Sequence, residues 1–422
     1  MLKTSFLISK KDEVIKLLSK RDFDANDVVN EIIALDKKRK SIQVQYEGIL
    51  AEINSISKTI GELFQSGQAS KAKPLKDKSS DLKKSSKDLA ISLEECQKKI
   101  NSYLLQIPNI PHKDVPAGSD EKDNKIIYES NISLNKNLTE PHWDLAIKYN
   151  IIDFELGTKI TGSGFPVYKG KGAKLQRALI SFFLDCNTNA GYEEVQIPHL
   201  VNENSAYGTG QLPDKEGQMY EVTSENLYLI PTAEVPITNI FRDEIISESN
   251  LPIMKTGYTP CFRREAGSYG SDVRGLNRLH QFDKVEIVKI EHPKKSYDSL
   301  RKMKDHIEGI IKKLELPYRI VTLCGGDLGF TSALTYDFEI FSAAQEKWLE
   351  VSSVSNFETF QSNRLKIRYR DNHGNIDLVH TLNGSALALP RVLAAILENN
   401  QSDDGINVPK VLQKYTGFSV IK

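Results

Sequence analysis

The chain has 422 residues, with 56 Lys and Arg balanced by 56 Asp and Glu. That length predicts two or three domains. A formal net charge of zero excludes a global pull on nucleic acid, so any basic surface must be local. Cys96, Cys186, Cys261 and Cys324 form no CxxC pair, which argues against a structural zinc site or a disulfide framework and fits a reducing, cytoplasmic setting. The N-terminus is interrupted by Lys3 and Lys10, and no run approaches the ~18 apolar residues of a membrane span. A soluble protein with no membrane partner is expected.

From Val28, the positions Ile32, Leu35, Arg39, Ile42, Tyr46, Ile49, Ile53, Ile56, Ile60 and Leu63 step by four and three in alternation, and only Arg39 breaks the apolar seam. This is the mark of a coiled coil. A break follows at 66–74, where Pro74 suits the first turn of a new helix. A second seam runs through Leu75, Ser79, Leu82, Ser86, Leu89, Leu93, Cys96, Ile100, Tyr103 and Ile107. Together they predict an antiparallel hairpin over about 27–105, tipped at about 66–74, within an N-terminal arm at 1–106. Its first helix would be about 55 Å long. Near the tip, Lys71, Lys73, Lys76, Lys78, Lys83, Lys84 and Lys87 face only Asp77 and Asp81. Composition alone leaves both a solvated lysine face and a phosphate-backbone contact open.

Residues 107–124 are rich in Pro, Gly and charge and read as a linker. The rest, 125–422, alternates between strand and helix patterns. A helix is predicted from about Gly172 to Ala190, closed by Gly191, then a strand over YEEVQIPHL stopped by Pro198. Further strands are expected at 286–290, 319–323 and 367–369. The chain closes with strand IDLVHTL, a loop at NGSA and an apolar helix starting near Pro390. Neighbouring strands with helices at their ends predict an antiparallel sheet of α+β class.

The most informative stretch is 261–286. It reads as two strands joined by a basic loop, with His280, Phe282, Lys284 and Glu286 on one face of the second strand and Arg263 beside Glu265 on the first. A cation, an aromatic ring and two carboxylates facing one cleft suit a purine nucleotide held beside a small ammonium-bearing ligand. A dinucleotide or P-loop site is excluded, because GSGFPV at 162–167 lacks the third glycine and KGKGA has no Lys followed by Ser or Thr.

Three blocks resemble the motifs of the class II aminoacyl-tRNA synthetases: the helix, Gly191 and strand ending at Pro198; FRRE with its loop and HQF; and NGSALALPR ending in Arg391. PTAE at 231–234, FRREAGS at 262–268, RLHQFDKVE at 278–286, EVSSVSNF at 350–357, TLNGSALALPR at 381–391, DFELGTKITGSGFPVYKG at 153–170 and the helical arm are closer still to the seryl-tRNA synthetase family. The resemblance covers essentially the whole chain. Ser271, Leu334 and Val354 depart from residues frequent in that family.

The resemblance implies a class II antiparallel catalytic domain behind a coiled-coil arm, ATP as substrate with magnesium, L-serine as the amino acid, and a homodimer joined around Gly191 to Pro198. It implies transfer to serine tRNA and, where the host has one, selenocysteine tRNA. Arg263 would bind the α-phosphate in a bidentate fork and Arg391 the γ-phosphate from the first turn of the last helix. Phe282 would stack on adenine, with Arg264, Glu265, Leu279, His280, Gln281, Val351 and Ser352 completing the ATP site. Glu350 and Ser353 would hold magnesium as hard oxygen donors. Thr232, Ala233, Glu234, Arg263, Glu286, Asn383 and Ser385 would bind serine, and Lys71 to Lys87 would meet the tRNA backbone. Arg274 and Arg278 are left without a role beyond a loop near the tRNA acceptor end. A ligase charging a carrier protein would lack the arm, and a non-catalytic homologue would be expected to lose Arg263, Glu286 or Arg391; both features are present.

Overall fold

The computed structural model describes residues 1–132, 140–265 and 274–422. Ser271 and the last three residues of FRREAGS lie outside them. The chain divides into two compact units, one of Leu2–Ser19 with Phe23–Pro108, the other chiefly Asn109–Lys422. Among the described residues no helix is long and apolar enough to cross a membrane.

In the first unit, α1 (Asn26–Gln65) and α2 (Lys73–Leu104) pack along each other. Forty residues give α1 a length of about 60 Å. Burial follows the two seams: Ile32, Ile42, Ile56, Ser79, Cys96 and Ile100 are buried, and the seam positions between them are half-buried. Arg39 is tolerated because Asp36, buried at 4% exposure, accepts from it at 2.8 Å. α1 ends at a turn carrying Gly67 in the left-handed region (φ +73°), and Pro74 sits in the first turn of α2.

The second unit is built on an eight-stranded sheet. Its strands are β1 (Lys125–Glu129), β2 (Glu193–Glu194), β3 (Ile253–Phe262), β4 (Gln281–Glu291), β5 (Tyr318–Thr322), β6 (Leu334–Ser342), β7 (Lys347–Glu358) and β8 (His380–Ala388), in the order β1-β5-β6-β7-β8-β4-β3-β2. All pairings are antiparallel except β2 with β3. One face carries the main core: Val285 and Ile287 of β4, Val351 and Val354 of β7, and Leu382 and Ala386 of β8. Against it pack α4 (Gly170–Asn189), through Leu175, Leu179, Phe182 and Phe183, α6 (Ser296–Leu314), and α8 (Leu389–Asn399), while α3 (His142–Lys148) packs on α8. The other face carries polar residues at one end and a second apolar cluster at the other, where Val288 and Ile290 meet Ile237 of α5 (Glu234–Asn239), Ala233 just before it and Leu365 of α7 (Phe360–Leu365).

Three local expectations are corrected. The strand expected over YEEVQIPHL shrinks to β2, with Leu200–Asn202 forming a separate strand. IDLVHTL splits into Ile376–Leu378 and the start of β8. NGSA lies within β8, between β7 and β4, because pairing on both sides outweighs the turn preference of Asn and Gly. Leu334 and Val354 point into the main core, where apolar side chains belong.

Candidate active site

β7, β8, β4 and β3 are neighbours, and each brings polar side chains to the same face. From β7 come Glu350 and Ser353, from β8 Asn383 and Ser385, from β4 Phe282, Lys284 and Glu286, and just beyond β3 comes Arg263. Period-2 alternation puts the β4 residues on one side while Val285 and Ile287 enter the core.

The deepest part is a carboxylate pair. Glu286 is fully buried and Glu234, opening α5, nearly so. Asn383 Nδ2 donates to both, at 2.7 Å to Glu234 and 3.1 Å to Glu286. Lys284 Nζ lies 2.8 Å from Glu286, and Ser385 Oγ donates to Glu286 at 3.4 Å. Glu234 accepts from Gln361 Nε2 at 2.6 Å, and Gln361 accepts from Thr381. Burial, then the neighbouring Glu286 charge, pushes the Glu234 carboxyl up to about 7. Asn383 Oδ1 is buried without a hydrogen-bond partner among the described residues. Thr232 and Ala233 are buried beside the pair, and the Thr232 hydroxyl accepts the Glu234 backbone N–H at 3.2 Å.

Above this pair, the Arg263 guanidinium stacks on Phe282, 5.3 Å from its centroid. Arg263 and Glu265 do not share a strand face, which corrects the sequence expectation. Strand β3 has ended at Phe262, and Glu265 instead takes the Arg278 guanidinium. Arg391, third residue of α8, donates to the Glu350 carbonyl at 2.7 Å and lies 3.5 Å from its carboxylate. Ser353 Oγ donates to Glu350 at 3.1 Å. Desolvation opposes ionisation of Glu350, but Arg391 and Ser353 hold its carboxyl below the ordinary range. Paired across from Ser353 is Asp337, whose Oδ1 is buried without a partner among the described residues; burial and then the Glu350 charge raise its carboxyl well above the usual range.

The remaining expected ATP residues are placed less uniformly. His280 bonds Tyr220 at 2.9 Å and stacks on Phe165, and Gly164 (φ +85°) passes so close that a Cβ would sit 2.4 Å from the ring. Arg264 and Gln281 are exposed, Gln281 on the strand face opposite Phe282. Leu279 and Val351 enter the core, and Ser352 is buried with its hydroxyl on the Ser385 carbonyl. Lys284 and Gln361 carry no role in the sequence reading, although Lys284 sits on the predicted face. Gln361 had no signal, since it reaches the pocket from α7, a separate short helix.

Residues 220–400 match the family described as tRNA synthetase class II core domain (G, H, P, S and T), and 1–111 match the seryl-tRNA synthetase N-terminal domain. The fold and polar face are thus those of a class II aminoacyl-tRNA synthetase core. The serine–tRNA ligase of Salinibacter ruber is 48% identical, aligned over 97% of this chain and 96% of the relative; that of Neisseria meningitidis serogroup B is 44% identical over 99% and 98%. The structure of seryl-tRNA synthetase from Pyrococcus horikoshii complexed with ATP superposes with a TM-score of 0.92 at 36% identity, over 100% of this chain and 99% of that one. The chain belongs to the seryl-tRNA synthetase family.

Proposed function

We propose that this chain is a serine–tRNA ligase. It joins L-serine and ATP to form seryl-adenylate and diphosphate, then passes the seryl group to the 3′ end of serine tRNA, and of selenocysteine tRNA where the host has one. The observation that carries this reading is the buried Glu234–Asn383–Glu286 cluster directly beside Arg263 and Phe282. Glu286 already has Lys284, whereas the Glu234 oxygens are met by two neutral amides. An ammonium group satisfies Glu234 and the unpartnered Asn383 oxygen together. The serine hydroxyl then falls to Glu286 and Ser385. A buried site built to bond a hydroxyl rejects analogues lacking it by about 10⁴ or more.

The substrate carboxylate is already ionised and attacks the α-phosphorus of ATP. A new O–P bond forms as the bond to the diphosphate breaks. The protein aligns the two and neutralises developing charge, without supplying a nucleophile. Arg263 binds the α-phosphate, Phe282 stacks on adenine, and Arg391 turns from Glu350 to the γ-phosphate. Glu350 and Ser353 fit magnesium, because they offer hard oxygens, and across from Ser353 the Asp337 Oδ1 is buried without a partner among the described residues, its carboxyl raised by burial and by the same Glu350 charge that a cation would neutralise. With ATP bound, the ion neutralises phosphate charge. The cytoplasmic setting and the arm-borne tRNA contacts at Lys71 to Lys87 belong to the same reading; those lysines are all exposed. Homodimer formation is supported by exposed Ile126, Ile127 and Tyr128 on the edge strand β1, in addition to residues 191–198. The domain reading keeps the arm at 1–106, the linker at 107–124 and the catalytic domain at 125–422.

The test is pyrophosphate exchange with a panel of amino acids, repeated with 27–105 replaced by a short linker. Serine-dependent exchange is expected from both proteins, and tRNA charging from the full chain alone. Absence of serine-dependent exchange in the full chain would refute the enzyme reading, and undiminished charging without the arm would refute the arm's role.

A further inference from the structure

Arg391 is not placed by its helix alone. Its Nε donates to the backbone oxygen of Asn277 at 3.1 Å, within the stretch 274–277 that leads into β4. That stretch is itself held by groups remote from any expected ligand. The Leu276 N–H donates at 2.8 Å to Nε2 of His142, a fully buried ring at the start of α3. A backbone N–H can only donate, so Nε2 is the acceptor and Nδ1 carries the proton. Nδ1 gives it in a 2.6 Å hydrogen bond to Glu398, fully buried near the end of α8. Glu398 also accepts from the His142 backbone N–H and from Gln345 Nε2, both at 3.0 Å, and from the Ser342 hydroxyl. Burial raises its carboxyl, but the His142 and Ser342 bonds outweigh this and hold it below the ordinary range, as an anion.

Two further contacts close the network. Gln345 Oε1 accepts from Asn277 Nδ2 at 2.8 Å. Gly275 has φ +68°, and a Cβ there would lie 2.3 Å from His142 Nε2, so the stretch seats directly on the imidazole. Arg391 and Glu398 are seven residues apart on α8, two turns along one face. One helix therefore grips the stretch at both ends, by Arg391 on the Asn277 carbonyl and by Glu398 through His142 and Gln345.

We propose that His142, oriented by Glu398, is a positioning residue for activation: through Leu276 and Asn277 it sets the Arg391 guanidinium at the nucleotide site. This rests on the reading of Arg391 as an ATP ligand. A purely structural His142 would join α3 to α8 with no selective effect on one substrate.

The experiment is serine-dependent pyrophosphate exchange by the full chain carrying His142→Phe, Gln345→Met, Arg391→Ala, or His142→Phe with Arg391→Ala, each with a thermal melt. His142→Phe and Gln345→Met are expected to raise the KM for ATP by about 10- to 100-fold, as small misplacements of a substrate-positioning group do. The KM for serine stays within about twofold, and His142→Phe adds little once Arg391 is gone, since both act through one guanidinium. Gln345→Met tests the same link where His142→Phe fails to fold. An unchanged ATP KM in the folded variants overturns the proposal. So does a parallel rise of both KM values with lowered Tm, or full additivity with Arg391→Ala. An Arg391→Ala protein with an unchanged ATP KM instead refutes the reading of Arg391 on which the proposal stands.

Discussion

Two carboxylates share one amide at Asn383, and only Glu286 has a lysine at 2.8 Å. Like charges so close do not both ionise readily, and the buried Glu234 retains a proton up to about pH 7. On the proposed reading the serine ammonium needs Glu234 as an anion, so serine and a proton would compete there. The KM for serine should therefore rise as pH falls below about 7, approaching about tenfold per pH unit, and level off above it. Initial-rate exchange across pH 5.5 to 8.5 measures this limb. Glu234→Gln should abolish the limb and weaken serine binding at every pH. The same raised carboxyl has a stability consequence of defined sign. Between its ordinary 4.5 and about 7 the folded protein holds a proton that the unfolded chain releases, so the ligand-free enzyme loses stability as pH rises through that window. Glu234→Gln should then stabilise the ligand-free protein at pH 8 by about 2 kcal/mol, read from chemical denaturation.

At the scale of elements, the arm and the sheet were legible to different degrees. The α1 and α2 seams repeat locally, so most of the buried positions could be counted from spacing alone, with Val29, Asp36 and Leu104 buried beside the seams; even the one break, Arg39, marks a real feature. Its partner Asp36 is three residues back and buried, and bonds Lys40 as well. Asp36→Ala would leave Arg39 partly buried without that partner, at a cost of about 1–2 kcal/mol once its 29% exposure is allowed for. Thermal melting of the arm followed by circular dichroism checks this. Desolvation opposes ionisation of Asp36, but Lys40 and Arg39 hold its carboxyl below the ordinary value; the pairing stabilises above that value and is lost as pH falls through the lowered one. β8 was not legible in the same way. Asn383 and Gly384 read as a turn, yet Gly384 sits between Ile287 and Val354, where an added Cβ would meet both at 3.3 Å. Sequence spacing reports local geometry, and this strand is made by its neighbours. The same reason hid Gln361 and the network of His142, Gln345 and Glu398, whose members lie far apart in the chain and meet only after folding.

For the whole molecule, zero net charge means that affinity for a polyanion must be built by local placement. The lysines between 71 and 87 are all exposed, but they are not equivalent. Lys71 bonds Gln68 at 2.9 Å, Lys76 lies 4.5 Å from the centre of the Phe64 ring, and Lys78 pairs with Glu52 at 2.7 Å. Exposed contacts of this kind contribute roughly 0–1 kcal/mol, so they orient these lysines more than they neutralise them. Each phosphate bound by a lysine releases counterions, and the signature is the salt dependence of tRNA binding rather than affinity at one salt concentration. Replacing Lys83, Lys84 and Lys87 together by alanine should raise the KM for tRNA in charging and lower the slope of log affinity against log salt by about one for each phosphate no longer neutralised. Serine-dependent pyrophosphate exchange, which involves no tRNA, should not change. An unaltered salt slope would identify these three lysines as a solvated face and move the tRNA-binding surface elsewhere on the arm, whereas loss of exchange would show that the substitutions had damaged more than the arm.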